Sequence, residues 1–438
     1  MIQEVRKVAH EILSCAGSLP IQVFIRVKKG ALVRFTNNGI HQNGFQDLLN
    51  YTIRLSGKDG AYYLESDDDT KSGIQKVFQQ LQTLAKRHSE AEGRRISKRK
   101  RSFVRQRPSG GLRMTGKKEY FPFPLEKIPE MAAHAIQKGV DLIRKEQASA
   151  NGYYSAYERL FYLIDSNRSE LVHPTTAVRF GVTLTKGVGK GYFSFYHPNS
   201  KKLDVASVVE QASEWARAAS SREISVKPGT YECVFHPRAF LELIEPLRHH
   251  FDAHLYQNGK SALSGFLGKR IFSKDFTLHE DLTHPKQFGV PFDLEGLPKR
   301  KVVLIDRGVF KGLLSEGNNT RGISEYPVYP QNLVGPEGDL KLPDIFKRIR
   351  RGVFINKLRY HTLVREDGLH VTGLATAGSF YIEKGRILGQ VGHLRYHDSL
   401  MSMLGSIVGR TKEQILLKDG EMGATLFPYF WISRLQVV

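Results

Sequence analysis

At 438 residues, with 40% hydrophobic and 25% charged side chains, the chain has the length of two domains and the composition of a globular protein. Its two cysteines, Cys15 and Cys233, rule out a disulfide framework or a zinc ribbon, and no run reaches the roughly 18 apolar residues of a membrane-crossing helix. About half of the net charge of +21 falls between Lys86 and Lys118, so the basic balance describes one segment before it describes a fold.

The first 17 residues are amphipathic at helical spacing, with Ile2, Val5, Val8, Ile12 and Leu13 on one side. They lack the unbroken apolar stretch of a secretory signal and are expected as the first helix of a cytoplasmic protein. Ile21, Val23, Ile25 and Val27 then alternate with Gln22, Phe24 and Arg26, as in a half-buried strand. Gly30 is expected to turn the chain into a second strand that ends in Asn37-Asn38-Gly39, a hairpin signal. Strands over 50–57 and 61–66 follow, and a helix from Ser72 to about Lys86 carries Ile74, Val77, Phe78, Leu81 and Leu84. A helix packed on such a meander is an α+β arrangement.

Arg94–Arg107 reads RRISKRKRSFVRQR and precedes Pro-Ser-Gly-Gly. Low in apolar content and self-repelling, it is expected as an exposed basic loop. It is either a contact for nucleic acid or another acidic polymer, or a solvated loop. With Phe103 its single aromatic and no nucleic-acid-binding motif around it, nucleic acid is not the favoured partner. Residues 125–146 are helical in pattern, and strands are expected at 159–167, 176–186 and 191–197. Asp204 suits the N-cap of a helix that turns Val205, Val208, Val209, Ala212, Trp215 and Ala216 inward. The polar, turn-rich 220–229 sets the expected boundary between an N-terminal α+β domain, 1–224, and a larger β-rich domain, 225–438.

The second domain opens on the most chemically loaded stretch, Cys233–Gly265. A short strand turns at His236-Pro237 into an apolar-periodic helix with Phe240, Leu241, Ile244 and Leu247, and Glu245, His249, His250, Asp252 and His254 follow within ten positions. Histidines and carboxylates four apart share a helix face and can converge on one cation. Two readings stand: His250 and His254 chelate an ion with help from Glu245 or Asp252, or the histidines are solvated on a half-exposed helix. Pro246 is expected to kink it, since an interior proline costs a helix about 3 kcal/mol. Beyond, Val302–Ile305 is a continuous apolar run of the kind found in strands covered on both faces. A helix over 399–409 and a strand over 429–438 close the chain.

Glu245, His249, Gly259, Ser261, Ser264 and Gly265 together resemble the active-site segment of the TldD/PmbA family. Its active members carry H-E-x-x-x-H and then G-x-S-x-x-S-G. Phe292, Asp293, Glu295 and Gly296, the hairpin Gly308–Leu313, the set Gly373, Ser379, Ile382, Glu383 and Gly385, and the opening 33–43 resemble the same family in the same order. The first histidine of the motif falls on Ile244, a hydrocarbon, and the expected cysteine ligand has no counterpart in Lys418–Pro428. The resemblance therefore implies a degenerate zinc-peptidase helix with Glu245 and His249 vestigial, no catalytic residue, no metal ligand set and no cofactor. It further implies a dimer, either with itself or with an active TldD-like subunit, around a cavity for unfolded or leader peptides. Ser264, Gly265, Gly373 and Ser379 would line that cavity, where small residues expose backbone to an extended peptide.

Three readings follow: a TldE-like non-catalytic subunit, a zinc peptidase with rearranged ligands and Glu245 as general base, or a binder of acidic polymer through 94–107. Gly187, Gly189 and Gly191 alternate, but no phosphate-binding Lys-Ser/Thr helix follows them. No G-x-S-x-G elbow frames a serine nucleophile. Asp67, Asp68 and Asp69 read as a solvated turn.

Overall fold

The computed structural model describes residues 1–56, 61–92, 113–114, 120–314, 330–376 and 378–438; the basic run 94–107 lies outside them. Helices and strands mix in an α+β fold built on two sheets. The elements of the first half are α1 (Ile2–Ala16), β1 (Ile21–Thr36), β2 (Gly39–Ser56), β3 (Ala61–Ser66), α2 (Lys71–Glu92) and β4 (Arg113–Met114). They continue as α3 (Ile128–Lys145), β5 (Ser149–Asp165), β6 (Glu170–Lys186), β7 (Gly189–His197) and α4 (Val205–Ala218). The sheet runs β3-β2-β1-β5-β6, with β7 and β4 also pairing with β6.

Gly30 does not turn the chain. β1 passes straight through it, because the missing side chain admits the neighbouring strand: a Cβ there would lie 2.2 Å from the Ala156 carbonyl oxygen. The turn comes at Asn37 and Asn38, both at positive φ (48° and 64°), as a two-residue hairpin requires. Odd positions of β1 and even positions of β5 and β6 point to one face, which α1 and α2 cover at one end and α3 and α4 at the other. Asp204 caps α4, its carboxylate accepting from the Ala206 amide at 3.0 Å. The alternating glycines after Lys186 serve packing: a Cβ on Gly191 would lie 1.9 Å from the Ala212 carbonyl oxygen of α4.

The second sheet begins with β8 (Glu223–Ile224) and β9 (Gly229–Phe235). β9 lies between Arg351–Ile355, parallel to it, and Gly423–Val437, antiparallel to it. This sheet and the segment after β9 enclose the larger core, where Phe240 stacks on Phe430 with centroids 3.9 Å apart. Val302–Ile305 is not covered on both faces. Val303 is 37% exposed, because the strand sits at the sheet margin between Leu278–Glu280 and the hairpin Val309–Phe310. The helix expected over 399–409 is confined to Leu400–Gly405, and Ile407 starts the strand to Asp419.

Three of the contacts between the halves show how they meet. Trp215 of α4 stacks on Phe354 at 5.1 Å. Phe24, Phe161 and Leu163 pack with Val290, Phe292 and Met422. Asn356 donates from Nδ2 to the Tyr192 carbonyl oxygen at 2.9 Å.

Candidate functional site

The segment after β9 is interrupted at Pro246, as expected, and then breaks a second time. It folds as α5 (Pro237–Leu243), α6 (Glu245–Arg248), a 3-10 turn at His249–Phe251 and α7 (Ala253–Gln257). Pro246 has no amide hydrogen to continue the ladder, so the helix breaks at Ile244. A second break falls at Asp252, which is extended (φ −66°, ψ 124°) and caps α7 by accepting from the Leu255 amide at 2.8 Å. The chain is held open there by Leu314, whose carbonyl oxygen accepts from Ala253 and whose amide donates to Phe251.

These breaks separate His250 from His254, which share no helical face. His250 is buried, its Nδ1 accepting from the Ala262 amide at 3.0 Å, and burial pulls its pKa below the ordinary histidine value. His254 packs instead against the Asn258 side chain. Ser261 closes the same corner, donating from Oγ to the His250 carbonyl oxygen at 2.7 Å. Part of the serine-glycine run thus splices the broken helix together. His236 opens α5 as its N-cap, accepting at Nδ1 from the Arg238 amide at 3.1 Å, and its complete burial lowers its pKa to about 3.

The position of the family's first ligand, Ile244, is 0% exposed and part of the larger core. Glu245 is half-exposed at 49%, and Oε2 takes the Arg248 Nη1 at 2.8 Å. The Arg248 side chain is only 3% exposed and also donates to the Pro330 carbonyl oxygen, so the carboxylate is tied to a fixed cation. His249 is exposed on the 3-10 turn. The described residues contain no group of three or more His, Cys, Asp or Glu that could hold a metal ion. A catalytic zinc needs about three protein ligands and an open position, and this donor set does not fit that ion.

The four residues expected to line a cavity fall in two groups. Ser264 donates from Oγ to the Tyr256 carbonyl oxygen at 3.2 Å, and Gly265 (φ +80°) is exposed with open space around it. Gly373 is buried in the strand His370–Thr376 and Ser379 in the turn that precedes Phe380–Glu383. A Cβ on Gly373 would lie 2.6 Å from the Tyr396 hydroxyl. Ser379 is 1% exposed, its Oγ bonded to the Thr376 carbonyl oxygen at 2.7 Å. Small side chains there serve close packing, which a single sequence cannot tell from an open groove. Tyr396 in turn bonds His361 Nδ1 at 2.6 Å, and burial lowers His361 to about 4.

A polar face that no motif announces lies on the N-terminal sheet, on the side away from its helices. It carries Lys28, Tyr153, Ser155, Tyr157, Arg159 and Arg179. Its one sequence signature is the alternation of β5, in which polar and aromatic side chains interleave with Tyr154, Ala156 and Leu160.

Residues 228–438 match the family model of the PmbA/TldA metallopeptidase C-terminal domain. Over residues 228–438 the chain belongs to the TldD/PmbA family. A metalloprotease of Methanothermobacter thermautotrophicus is 27% identical over 178 residues, covering 38% of this chain and 39% of that protein. The metalloprotease TldD homolog of Buchnera aphidicola is 26% identical over 163 residues, 33% of each chain. The matches thus span well under two thirds of these relatives' own length. Among solved structures, TldE from Thermococcus kodakarensis superposes with a TM-score of 0.74 at 20% identity, covering 100% of this chain and 99% of that one. A Thermotoga maritima protein described as a candidate modulator of a DNA gyrase gives 0.77 at 16% identity, covering 99% and 100%. At such identities the likeness establishes the fold, and the family is metallopeptidase-like.

Proposed function

We propose that the chain is a TldE-like, non-catalytic subunit that shapes a peptide-accepting cavity, working as a dimer beside an active TldD-like subunit in the cytoplasm. One observation carries this reading: the position of the family's first metal ligand is a hydrocarbon inside the core, and the following Glu245 is engaged by a buried arginine. Among the described residues a chain so arranged offers His249 as its one motif imidazole, short of the three ligands that hold a catalytic zinc and its water. The family's metallopeptidase-like character supports peptide binding, with half-buried Ser264 and exposed Gly265 retained as groove residues. No described helix is long and apolar enough to cross a membrane.

Zinc content and peptidase activity test the reading. The full chain, dialysed and assayed by metal analysis, is expected to hold far less than one zinc per chain and to cleave unfolded peptides only when a TldD-like subunit is added. Near-unit zinc, with cleavage lost in both Glu245→Ala and His249→Ala, would replace it with the rearranged-ligand peptidase.

A further inference from the structure

The face of the N-terminal sheet turned toward the second half gathers cations, with Ser155 and Arg159 buried and Lys28 and Arg179 half-buried. Strand register places Lys28 beside Arg159, Tyr157 between Gly30 and Ala177, and Ser155 between Leu32 and Arg179. With strands about 4.8 Å apart, Lys28, Arg159 and Arg179 stand on one face of the sheet around Ser155 and Tyr157. Lys357, from the second half, joins them with Nζ 4.8 Å from the Tyr192 ring centroid.

Each cation is in contact with a neutral group. Lys28 Nζ donates to Gln46 Oε1 at 2.6 Å, Arg159 Nη1 to the Glu421 carbonyl oxygen at 2.8 Å, and Arg179 Nη2 to the Tyr153 hydroxyl at 3.2 Å. Two carboxylates come near, and both are taken: Glu421 by Arg26 at 3.2 Å and Glu242 by Arg238 at 2.9 Å. Burial, with Arg159 and Arg179 adding to it against the opposing pull of Glu421, holds Lys28 below the ordinary lysine pKa. Burial does the same to Lys357, assisted by Arg238 and Arg359 against the opposing pull of Glu242. An arriving anion would relieve this repulsion. Two polar atoms also wait for a partner: Ser155 Oγ, in a side chain 6% exposed, and Arg159 Nε have none among the described residues.

We propose that this face is a subsite for a carboxylate of the bound peptide, with Arg179 as its fork, Lys28 and Lys357 as flanking charges and Ser155 as a hydroxyl donor; the proposal rests on the peptide-holding reading. A planar guanidinium steadied on one side by Tyr153 presents its remaining N–H groups to a carboxylate in bidentate fashion. Nucleic acid suits the face less well, because bases need free aromatic planes. Here Arg159 lies 4.3 Å and Lys28 5.1 Å from the Tyr157 ring centroid, and Arg179 lies 5.2 Å from that of Tyr153. The subsite adjoins the broken helix, since Arg238 of α5 and Tyr153 lie close enough to perturb each other.

The test is fluorescence anisotropy on the full-length chain with three labelled decapeptides: alternating Glu-Ala with an amidated end, its Gln-Ala analogue, and the Gln-Ala analogue with a free C-terminal carboxylate. The acidic peptide is expected to bind about tenfold tighter than the amidated Gln-Ala peptide, the worth of one charge-assisted pair. Arg179→Gln with Lys357→Gln should erase that difference and leave the neutral peptide unchanged, while Arg179→Lys should keep part of it. The third peptide tells whether a chain end serves as well as an acidic side chain. If the double variant does not fold by circular dichroism, Lys28→Gln is expected to reduce the same preference. Equal binding of all three peptides, or parallel weakening of all three in the variants, would overturn the subsite and leave the peptide-holding reading intact. Failure of every peptide to bind would sink both, and a single-stranded oligonucleotide that displaces the acidic peptide at lower concentration would make the face a phosphate site instead.

Discussion

The broken helix after β9 and the polar face of the N-terminal sheet differ in how they use their polar groups. Along 236–261 most functional groups are consumed by the fold: His236 and Asp252 cap, Ser261 and His250 splice, and Arg248 ties down Glu245, with His236 Nε2 left without a described partner. On the sheet face, Ser155 Oγ and Arg159 Nε have no described partner and the cations lean on neutral groups. A segment can keep a motif's residue types while spending their hydrogen bonds on its own backbone. Spare donors mark a binding surface better than resemblance does.

The comparison breaks most sharply at Gly30. A side chain there must displace the Ala156 carbonyl oxygen and the Tyr157 backbone, so Gly30→Val is expected to cost about 3 kcal/mol or more in denaturant unfolding. A variant that melts like the parent would mean that the sheet face is loosely packed.

Restoring the motif at Ile244 comes next. Ile244→His buries an imidazole in the apolar core and is expected to destabilise by about 2 kcal/mol, with no zinc gained on dialysis against the metal. Its deficit should widen as pH falls below about 6.5, because the unfolded chain then binds a proton that the core refuses. Stoichiometric zinc in this variant would show that the helix can re-form as a ligand frame.

A smaller effect separates the native histidines. His236 and His361 have folded pKa values lowered to about 3 and about 4. Between those values and about 6.5 the unfolded chain holds more protons, so stability rises with pH across that window and is lost as pH falls through it. His236→Asn keeps an acceptor for the α5 cap and removes one titrating group, so its unfolding midpoint should depend less steeply on pH between about 4 and 6.5. An unchanged slope would relieve His236 of that role.

The smallest effect belongs to a site outside both regions. Asp204→Ala removes the α4 cap and should cost about 1 kcal/mol by denaturant titration, leaving peptide binding unaltered.

Much of the fold was legible in the order of residues. Alternation in β1, β5 and β6, the Asn37-Asn38 turn and the Asp204 cap are local rules, written where they act. Gly30 misled because a glycine needed for close approach and one needed for a turn look alike from one strand. The helix pattern of 240–247 was real in its apolar faces, since Phe240, Leu241, Ile244 and Leu247 are all buried, yet it could not reveal where the ladder stops. Val303 was misread because an apolar run does not record whether a strand lies at the centre or margin of its sheet.

By itself the sequence determined the α+β class, the family, and the absence of an imidazole at 244 and of any thiol beyond Cys233, since composition and motif spacing are properties of a single strand of text. Only the tertiary structure decided that Ile244 belongs to the core, that Ser379 is buried in the turn before a strand, and that Lys28, Arg159 and Arg179 stand on one sheet face with Lys357 near its Tyr192. Those groups lie far apart along the chain. What brings them together is strand register and the docking of two sheets, and neither is encoded locally.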